Sequence, residues 1–472
     1  MMLNRDYPKS FTDIPQHYAY TEKHAWTILD NHRRVHGRLF VSENKIMLNF
    51  ATTRTEADEF SGKRFNIVTA VNDKSSRMEL MGCTVYESPL TKLFRNNRAD
   101  QELTAKMLVV GEGSARIPKE LSNLTGMLPG IGEWFEENFL DFDIDSYTFK
   151  NTKIIYHDID LWEGAKIVLN ARLVIDHESA ILEDRFVAYP ESYVEVIFDK
   201  ADSIDNMLTI FDHVQNFFNF VFLEPYSSDT FTSKVTGRRK ARKLYIATPT
   251  KKLPSARRGS KLHNNMLFKF SDLSDFNSVF INWMLRYRDM HEIIDILMLV
   301  KTSQISEELR FTAVINALEA VHRRFYDKRT QTDEEYAERV KGIIEKIDDT
   351  KDKKLLRWKL KHGNEQSLRD RLADIYALGE EYSISRPSDD LTQKIIDTRN
   401  YYTHRDKSLV PKILTSYMLR DADGLLERYL KLMILNIIKV PKAELAAIVA
   451  SSPQFKDYYR DEPPVAPITR GK

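Results

Sequence analysis

Cysteine is nearly absent from this chain of 472 residues, since Cys83 is the only one. A single thiol excludes an internal disulfide and a zinc site built from several cysteines, and it fits a reducing cytosol. The net charge is also close to zero, at +1, so no strong overall field attracts a polyanionic partner. Any basic surface must therefore be local.

Long hydrophobic runs are missing as well. The first ten residues contain no apolar segment of the kind that a signal peptide has. The most apolar helical stretch, residues 425–440, is interrupted by Glu427, Arg428, Lys431 and Lys439, so it is too short and too charged to span a bilayer. We therefore expect a cytoplasmic protein without membrane contact, and the length predicts two or three domains.

The first part of the chain has the pattern of β-strands, which predicts a β-rich domain over residues 1–272. Apolar residues alternate with polar ones on both sides of the polar segment 42–45, as in a hairpin. One helical stretch, residues 203–223, interrupts the strands. The other predicted strands cover residues 65–71, 79–86, 106–111, 154–159, 166–175, 193–198, 243–247 and 266–270.

After this region, apolar residues recur at the three- and four-residue spacing of helices. Residues 273–303 are predicted to form a connecting helix and residues 304–450 a helical bundle, whose last long helix covers residues 411–440. The proline-containing tail, residues 451–472, is predicted to be disordered. The fold class is therefore α+β, with a β-rich N-terminal domain followed by an all-α bundle.

Arg399, Asn400 and His404 lie within about two turns of one predicted helix. Histidine titrates near neutrality and can act as an acid or a base, and arginine can bind two phosphate oxygens. These groups could cleave RNA through its own 2′-hydroxyl without a metal ion. The products would carry a 2′,3′-cyclic phosphate and a 5′-hydroxyl.

Helix geometry places Asp397, Asn400 and His404 on one stripe, whereas Arg399 is offset from His404 by about 140°. Two antiparallel copies would line one groove with both motifs, which favours a homodimer. An Arg and a His near a helix end can also simply neutralise the last carbonyl groups. Tyr402 could stack on a base, or it could pack in a core or an interface.

The Arg-x-x-x-x-His spacing is not specific, because it occurs five times in the chain. Context disfavours four of these pairs: one lies in a predicted strand, one in a basic loop, one in the connecting helix, and one just before a helix stop. These pairs are, in that order, Arg172/His177, Arg258/His263, Arg286/His291 and Arg357/His362.

Residues 235–262 are rich in basic side chains and contain no acidic one. Such a segment could bind an RNA backbone, or it could be a solvated connection. The RNA-binding candidates are Arg238, Arg239, Lys240, Arg242, Lys243, Arg257 and Arg258. Aspartates at positions 141, 143 and 145 leave a metal-dependent hydrolase open, but calcium-loop residues are missing, so no metal and no cofactor are predicted.

The run from Thr398 to His404 resembles the Arg-Asn-x-x-x-His signature of HEPN domains, and most closely that of ApeA-like proteins. The first predicted helix of the bundle, with residues 316–323, also resembles the ApeA-like pattern. A β-rich domain ahead of the bundle is similar to the organisation of antiphage defence proteins of this type.

The resemblance implies a metal-independent endoribonuclease of abortive-infection defence. It would act as a homodimer through its helical domain, cleave tRNA or other host RNA, and respond to a phage-derived trigger on its N-terminal domain. Arg399 and His404 would be the catalytic pair and Asn400 the polar helper, supported by Glu319, Asp397 and Tyr402. The alternative is a HEPN module that only dimerises or binds a nucleotide or RNA.

Overall fold

The structure is a computed structural model, and it divides the chain into two compact units. Residues 1–219 with 225–260 form one unit, and residues 220–224 with 261–472 form the other. The boundaries predicted at residues 272, 303 and 450 stay predictions. The structure describes residues 20–21, 26–30, 33–42, 45–53, 62–72, 77–87, 98–111, 116–135, 140–143, 148–152, 155–162, 164–176, 187–228, 230–235, 242–248, 266–326, 331–360 and 363–456.

The N-terminal unit is built mainly from antiparallel strands. In the described ranges these strands are β1 (Tyr20–Thr21), β2 (Trp26–Asp30), β3 (Arg33–Ser42), β4 (Lys45–Thr53), β5 (Arg64–Asn72), β6 (Arg77–Glu87), β7 (Arg98–Ala105), β8 (Met107–Gly111), β9 (Glu120–Met127), β10 (Leu140–Asp143), β11 (Thr148–Thr152), β12 (Ile155–Trp162), β13 (Ala165–Asp176), β14 (Val187–Ser203), β15 (Thr230–Val235) and β16 (Arg242–Ala247). Two helices accompany them, α1 (Ile131–Trp134) and α2 (Ile204–Phe222).

The predicted hairpin around residues 42–45 is present, with Ser42 of β3 opposite Lys45 of β4. Along β4 the buried positions alternate with exposed or half-buried ones, and Ile46, Leu48 and Phe50 face the interior. A two-residue alternation buries one face of a strand, which is why the apolar residues could be assigned to the core from the sequence.

β6 changes its neighbour halfway along its length. Residues 77–81 pair with β8, and residues 84–87 pair with β7. Gly82, between them, has a φ of +62°, a conformation that glycine adopts at little cost. Because β6 also pairs with β5, the path β6-β5-β2-β3-β4-β7 returns to β6. It encloses a core of apolar side chains that includes Cys83, whose thiol pKa is raised to about 12 by burial.

The other strands of this sheet follow the order β12-β13-β14-β9-β15-β16-β8. α2 covers them with aromatic side chains. The ring of Phe211 meets Phe231 of β15 edge-on, with centroids 4.9 Å apart. Trp134 of α1 meets Phe217 and Phe218 of α2 in the same manner. The helical spacing of this segment in the sequence therefore marks a helix buried against the sheet.

The second unit is helical, which confirms the predicted α+β class. Its described helices are α3 (Phe276–Thr302), α4 (Glu307–Phe325), α5 (Asp333–Glu345), α6 (Thr350–Leu360), α7 (Leu368–Glu380), α8 (Asp389–His404), α9 (Ser416–Ile437) and α10 (Lys442–Ser451).

Local capping residues determine where several of these helices begin. The hydroxyl of Ser306 accepts a hydrogen bond from the amide of Leu309 at 3.3 Å. Thr332 and Glu335 form a reciprocal capping box at the start of α5. Such side chains satisfy amides that have no partner within the helix, so the starts of α4 and α5 could be predicted from sequence to within one residue.

α4 and α9 lie at the centre of the bundle. α4 packs against α3, α7, α8 and α9, and nearly every residue of α9 from Leu425 to Leu435 is buried. α7 approaches α9 closely at Gly379, where an added Cβ would lie 2.2 Å from a ring carbon of Tyr429. Within the described ranges, no helix is both long and apolar enough to cross a bilayer.

In this unit the structure differs from the predicted elements at three places. Residues 266–270 form no strand, because Asp272 caps a 3-10 turn at Phe270–Asp272 through the amide of Lys269. The helix predicted over residues 411–440 begins only at Ser416, because the residues before it form a 3-10 turn that contains Pro411. The predicted disordered tail begins with a structured turn, Pro453–Phe455, in which Phe455 is buried.

Candidate active site

The Arg-Asn-x-x-x-His motif forms the C-terminal end of α8. The hydroxyl of Ser388 accepts a hydrogen bond from the amide of Leu391 at 3.2 Å, and two aspartates follow in the first turn, where they favour the helix dipole. The helix ends after His404 because Arg405 adopts the left-handed conformation, with a φ of 56°. The motif therefore lies at a helix terminus.

Arg399 forms an ion pair with Glu319 of α4. Its Nη2 atom lies 2.8 Å from Oε1 of Glu319, but the angle is poor for a hydrogen bond, so the attraction is mainly ionic. Its Nη1 atom donates a hydrogen bond of 3.3 Å to Oδ1 of Asn400. The Arg399 side chain is 22% exposed although its Nε atom is buried, so the residue is held in place without being fully enclosed.

Asn400 is half-buried and His404 is exposed. At about 100° per residue the two side chains lie on nearly the same face of α8, whereas Arg399 is about 140° from His404 around the axis. In the described part of the chain, His404 makes no hydrogen bond or ion pair. The imidazole is therefore free to meet a ligand.

The two supporting residues on α8 have different surroundings. Asp397 is buried, and its Oδ1 atom accepts a hydrogen bond of 2.9 Å from Gln393. Tyr402 is half-buried beside Tyr401, and burial, with the charge of Glu308, raises the pKa of its hydroxyl. The guanidinium of Arg405 lies over both tyrosine rings, at 5.8 and 5.4 Å from their centroids. These contacts stabilise the helix end.

No sequence pattern indicated a structural role for Thr398, but its side chain joins α8 to the following segment. Its hydroxyl donates to the carbonyl of Lys394 at 2.6 Å and accepts from the amide of Leu414 at 2.8 Å. The side chain is completely buried. It therefore fixes the path of the chain just after the motif, and the local sequence contains no signal for this long-range hydrogen bond.

A second polar cluster lies on α4, one turn beyond Glu319. His322 is buried, and its Nε2 atom lies 3.2 Å from Oδ2 of Asp374 on α7. Arg371 is equally buried, and its Nη1 atom lies 3.4 Å from Nδ1 of the imidazole. Gln366 donates to the same Asp374 oxygen at 3.0 Å. Because its members satisfy one another in the interior, this cluster joins α4 to α7.

A third cluster, here called the Glu427 network, consists of Lys301, Arg310, Asp423, Glu427 and Lys431. Lys301 lies 2.6 Å from Glu427, Arg310 lies 3.2 Å from Asp423, and Lys431 lies 3.6 Å from Glu427. Burial raises the pKa of Asp423 to about 7 and lowers the pKa of Lys431 to about 7. Burial alone would also raise the pKa of Glu427, but the three cations outweigh it and lower that pKa.

The other Arg-x-x-x-x-His pairs are placed differently. Arg286 and His291 lie on α3, where Nδ1 of His291 is 2.9 Å from the carbonyl of Arg288. Arg357 lies on α6 and Arg172 on β13. Their partners His362 and His177 lie outside the described residues, as does the whole pair Arg258/His263.

The predicted RNA-binding loop lies mostly outside the described residues. This applies to Arg238, Arg239, Lys240, Arg257 and Arg258. The backbones of Arg242 and Lys243 belong to β16, opposite Val235 and Lys234 of β15. Among the described residues, no group of three or more His, Cys, Asp or Glu side chains is placed to hold a metal ion.

Comparison with known families identifies the class to which this arrangement belongs. The Apea-like HEPN family matches residues 312–444, which contain most of α4, the motif on α8, and α9. The C-terminal unit therefore contains a HEPN domain, a class whose members are generally ribonucleases and commonly dimerise.

The N-terminal unit identifies the family more closely. ApeA N-terminal domain 1 matches residues 22–283, which is more than half of the chain. The chain belongs to the ApeA-like HEPN proteins, a family of antiphage proteins. No curated protein and no solved structure gives a significant match.

Proposed function

We propose that this protein is a metal-independent endoribonuclease of abortive-infection defence, with Arg399, Asn400 and His404 as its reacting groups. The observation that carries this proposal is the partial exposure of the Arg399 side chain, 22%, on the same helix end as the exposed His404. An arginine and a histidine that served only the core would be enclosed, as His322 and Arg371 are.

Each group has a chemical role that fits its position. His404, which has no partner in the described residues, would exchange a proton with the ribose 2′-hydroxyl or with the 5′-oxygen that leaves. Arg399 would stabilise the charge that develops on the phosphorane, since its guanidinium can bind two phosphate oxygens. Glu319 orients that guanidinium, and Asn400 helps to orient the scissile phosphate.

A homodimer would complete the site. Arg399 and His404 of one chain point in directions about 140° apart around α8, so one phosphate reaches both only with difficulty. A second copy of α8, related by a two-fold axis, would present the histidine of one protomer near the arginine of the other. This arrangement explains why α8, although it carries all three residues, still needs α8 of a second protomer.

The substrate proposed is tRNA or another host RNA, and the signal proposed is a phage-derived trigger on the β-rich unit. The match of that unit to ApeA N-terminal domain 1 supports a role in defence. An unregulated ribonuclease would harm its own cell, so a control domain is expected. RNA cut as strongly in uninfected cells as in infected ones would contradict the control role.

The decisive test compares purified wild-type protein with His404→Ala on total RNA, in the presence of a chelator, with mapping of the cleaved ends. We expect cyclic phosphate and 5′-hydroxyl ends from the wild type and a rate about 10³-fold lower in the variant. His291→Ala is the matched control, because His291 has the same spacing from an arginine on another helix.

Three results would count against the proposal. Loss of activity with the chelator would favour a metal-dependent nuclease. An active His404→Ala variant would remove the catalytic assignment. RNA binding or dimerisation without any cleavage would favour a non-catalytic module. Mixing Arg399→Ala with His404→Ala protein tests the shared site, because mixed dimers should regain activity that neither variant has alone.

A further inference from the structure

The helical unit carries a hairpin of two helices, α5 and α6, whose second helix is basic and is not used by the proposed mechanism. α5 and α6 pack chiefly on each other, between α4 and α7 in the chain. The base of the hairpin is closed by Asn364, which donates to the carbonyl of Gln331 at 3.1 Å, and by Tyr336, which donates to the carbonyl of Leu360 at 2.8 Å. α4 and α7 both contact α8. The hairpin is thus attached to helices that contact the motif helix.

α6 is strongly basic, with the sequence TKDKKLLRWKL. Its lysines and its arginine outnumber its single carboxylate, Asp352, five to one. Within the described residues none of these cations forms an ion pair. Some exposed cations elsewhere in the unit are paired, for example Lys442 with Glu381 and Arg420 with Glu307, whereas α6 places on one short helix several cations that are unpaired in the described part of the chain. The charge of α6 is therefore available to an outside partner.

The exposure pattern gives α6 an inner and an outer face. Lys353, Leu356 and Leu360 are half-buried, and this spacing of three and four residues marks the side that packs on α5. On the opposite side, an arc of about 140° holds five exposed side chains. These are Lys351, Lys354, Leu355, Trp358 and Lys359.

Trp358 lies near the middle of this outer face and is 67% exposed. Leu355, on the same face, is 54% exposed, so the two side chains place apolar surface in the middle of the basic face. The ammonium group of Lys359 lies 4.9 Å from its ring centroid. A flat ring flanked by ammonium groups can stack on a base while the charges bind the adjacent phosphates.

We propose that the outer face of α6 binds the RNA substrate, with Trp358 stacking on an unpaired base and Lys351, Lys354 and Lys359 contacting phosphates. The inference rests on the proposed function only in taking RNA as the substrate. An anionic membrane surface is the other partner that a basic face could bind, but two apolar side chains among three lysines offer little area for insertion. The charge and the single ring favour RNA.

The test uses the full-length protein with His404→Ala, so that RNA is bound but not cleaved. Binding of a fluorescein-labelled single-stranded RNA is measured by anisotropy over a range of salt concentrations. Lys351→Gln/Lys354→Gln/Lys359→Gln should weaken binding about tenfold or more and reduce the slope of log Kd against log salt by about 2, since each single-strand phosphate contact contributes about 0.7. Trp358→Ala should weaken binding about tenfold with little change in slope.

Matched controls come from the N-terminal unit. Lys63→Gln/Arg64→Gln/Lys200→Gln removes the same charge from exposed positions, and Trp162→Ala removes another exposed ring. Both controls should leave Kd and slope unchanged. Circular dichroism of each variant checks that the helices remain folded. In protein with His404 intact, the α6 variants should raise KM about tenfold and leave kcat unchanged, because the face binds substrate away from the reacting atoms.

The outcomes separate this inference from the proposed function. RNA affinity and salt slope that are unchanged in the α6 variants overturn the inference, even if the wild type cleaves RNA. Binding to phosphatidylserine vesicles that depends on α6, with RNA binding unaffected, also overturns it and assigns the face to a membrane. RNA binding that depends on α6, in a protein that cleaves no RNA, supports this inference and removes the proposed catalysis.

Discussion

α4 contributes to two ion-pair clusters whose surroundings differ sharply. In the Glu427 network, Arg310 meets two carboxylates on α9, and the side chains of Asp423, Glu427 and Lys431 are 8%, 6% and 3% exposed. Near the other end of α4, Glu319 meets Arg399, whose side chain is 22% exposed. The Arg310 side chain is itself 35% exposed, so the two clusters differ at their centres: the Glu427 network contains the buried Lys431 and two buried carboxylates, whereas Glu319 and Arg399 meet as a pair.

The difference explains the roles that we expect of the two clusters. A buried charge is costly without a partner, so Asp423, Glu427 and Lys431 depend for stability on one another and on the partly exposed Lys301 and Arg310. At the motif, the Arg399 side chain is 22% exposed and lies on the same helix end as the exposed His404. We therefore expect this pair, and not the Glu427 network, to take part in the proposed reaction.

Removing the central carboxylate of the enclosed cluster should have the largest effect on stability. Glu427→Ala leaves Lys301, Lys431 and Arg310 without their shared anion, so we expect the free energy of unfolding to fall by about 3–5 kcal/mol. Urea denaturation measures this change. Glu381→Ala is the control, because its pair with Lys442 is exposed and its loss should change stability little. Equal losses in the two variants would break the distinction between enclosed and open pairs.

At the Arg399–Glu319 pair, a substitution should lower activity more than stability. Glu319→Gln keeps the shape of the side chain but removes the charge that orients Arg399, so RNA cleavage should fall about 10–100-fold. The free energy of unfolding should fall by about 1–3 kcal/mol, less than in Glu427→Ala, because Glu319 is buried but pairs with one cation instead of three. Glu307→Gln, on the same helix and paired with Arg420, is the control for activity. A Glu319→Gln variant that is unstable and fully active would reverse this interpretation.

The pH dependence of stability should give the most gradual effect, because it is spread over several pH units. Burial, with the charge of Glu427, raises the pKa of Asp423 to about 7 from its ordinary 3.8, against the opposing charge of Arg310. Between these pH values the folded state binds more protons than the unfolded state. The contribution of Asp423 to the free energy of unfolding should therefore fall as pH rises, by at most about 1.4 kcal/mol per pH unit.

Asp423→Asn removes this contribution. Urea denaturation at several pH values should show the Asn variant gaining stability relative to the wild type from about pH 5 to pH 7. Parallel curves for the two proteins would mean that the carboxyl group titrates normally and that the network is more open than its burial indicates.

Much of the fold could be predicted because its signals are local. The capping residues Ser306, Thr332 and Ser388 lie next to the helices that they begin, and the alternation along β4 needs no information from elsewhere. One error occurred where a distant contact acts together with the local turn. The segment before α9 is held by the hydrogen bond from Leu414 to Thr398, which no local pattern indicates.

The candidate site, like the fold, has features that the local sequence predicts and features that it does not. The order and spacing of Arg399, Asn400 and His404 determine where a cation, an amide and an imidazole lie around one helix, because the angle between successive residues of a helix is fixed. Spacing could not distinguish this motif from four similar pairs.

Tertiary packing decided the rest. It brought Glu319 to 2.8 Å from Arg399, enclosed Glu427 among three cations, and left Trp358 and the cations of α6 exposed. These features depend on which helices touch and on how far water is excluded between them, and no local stretch of sequence encodes either quantity.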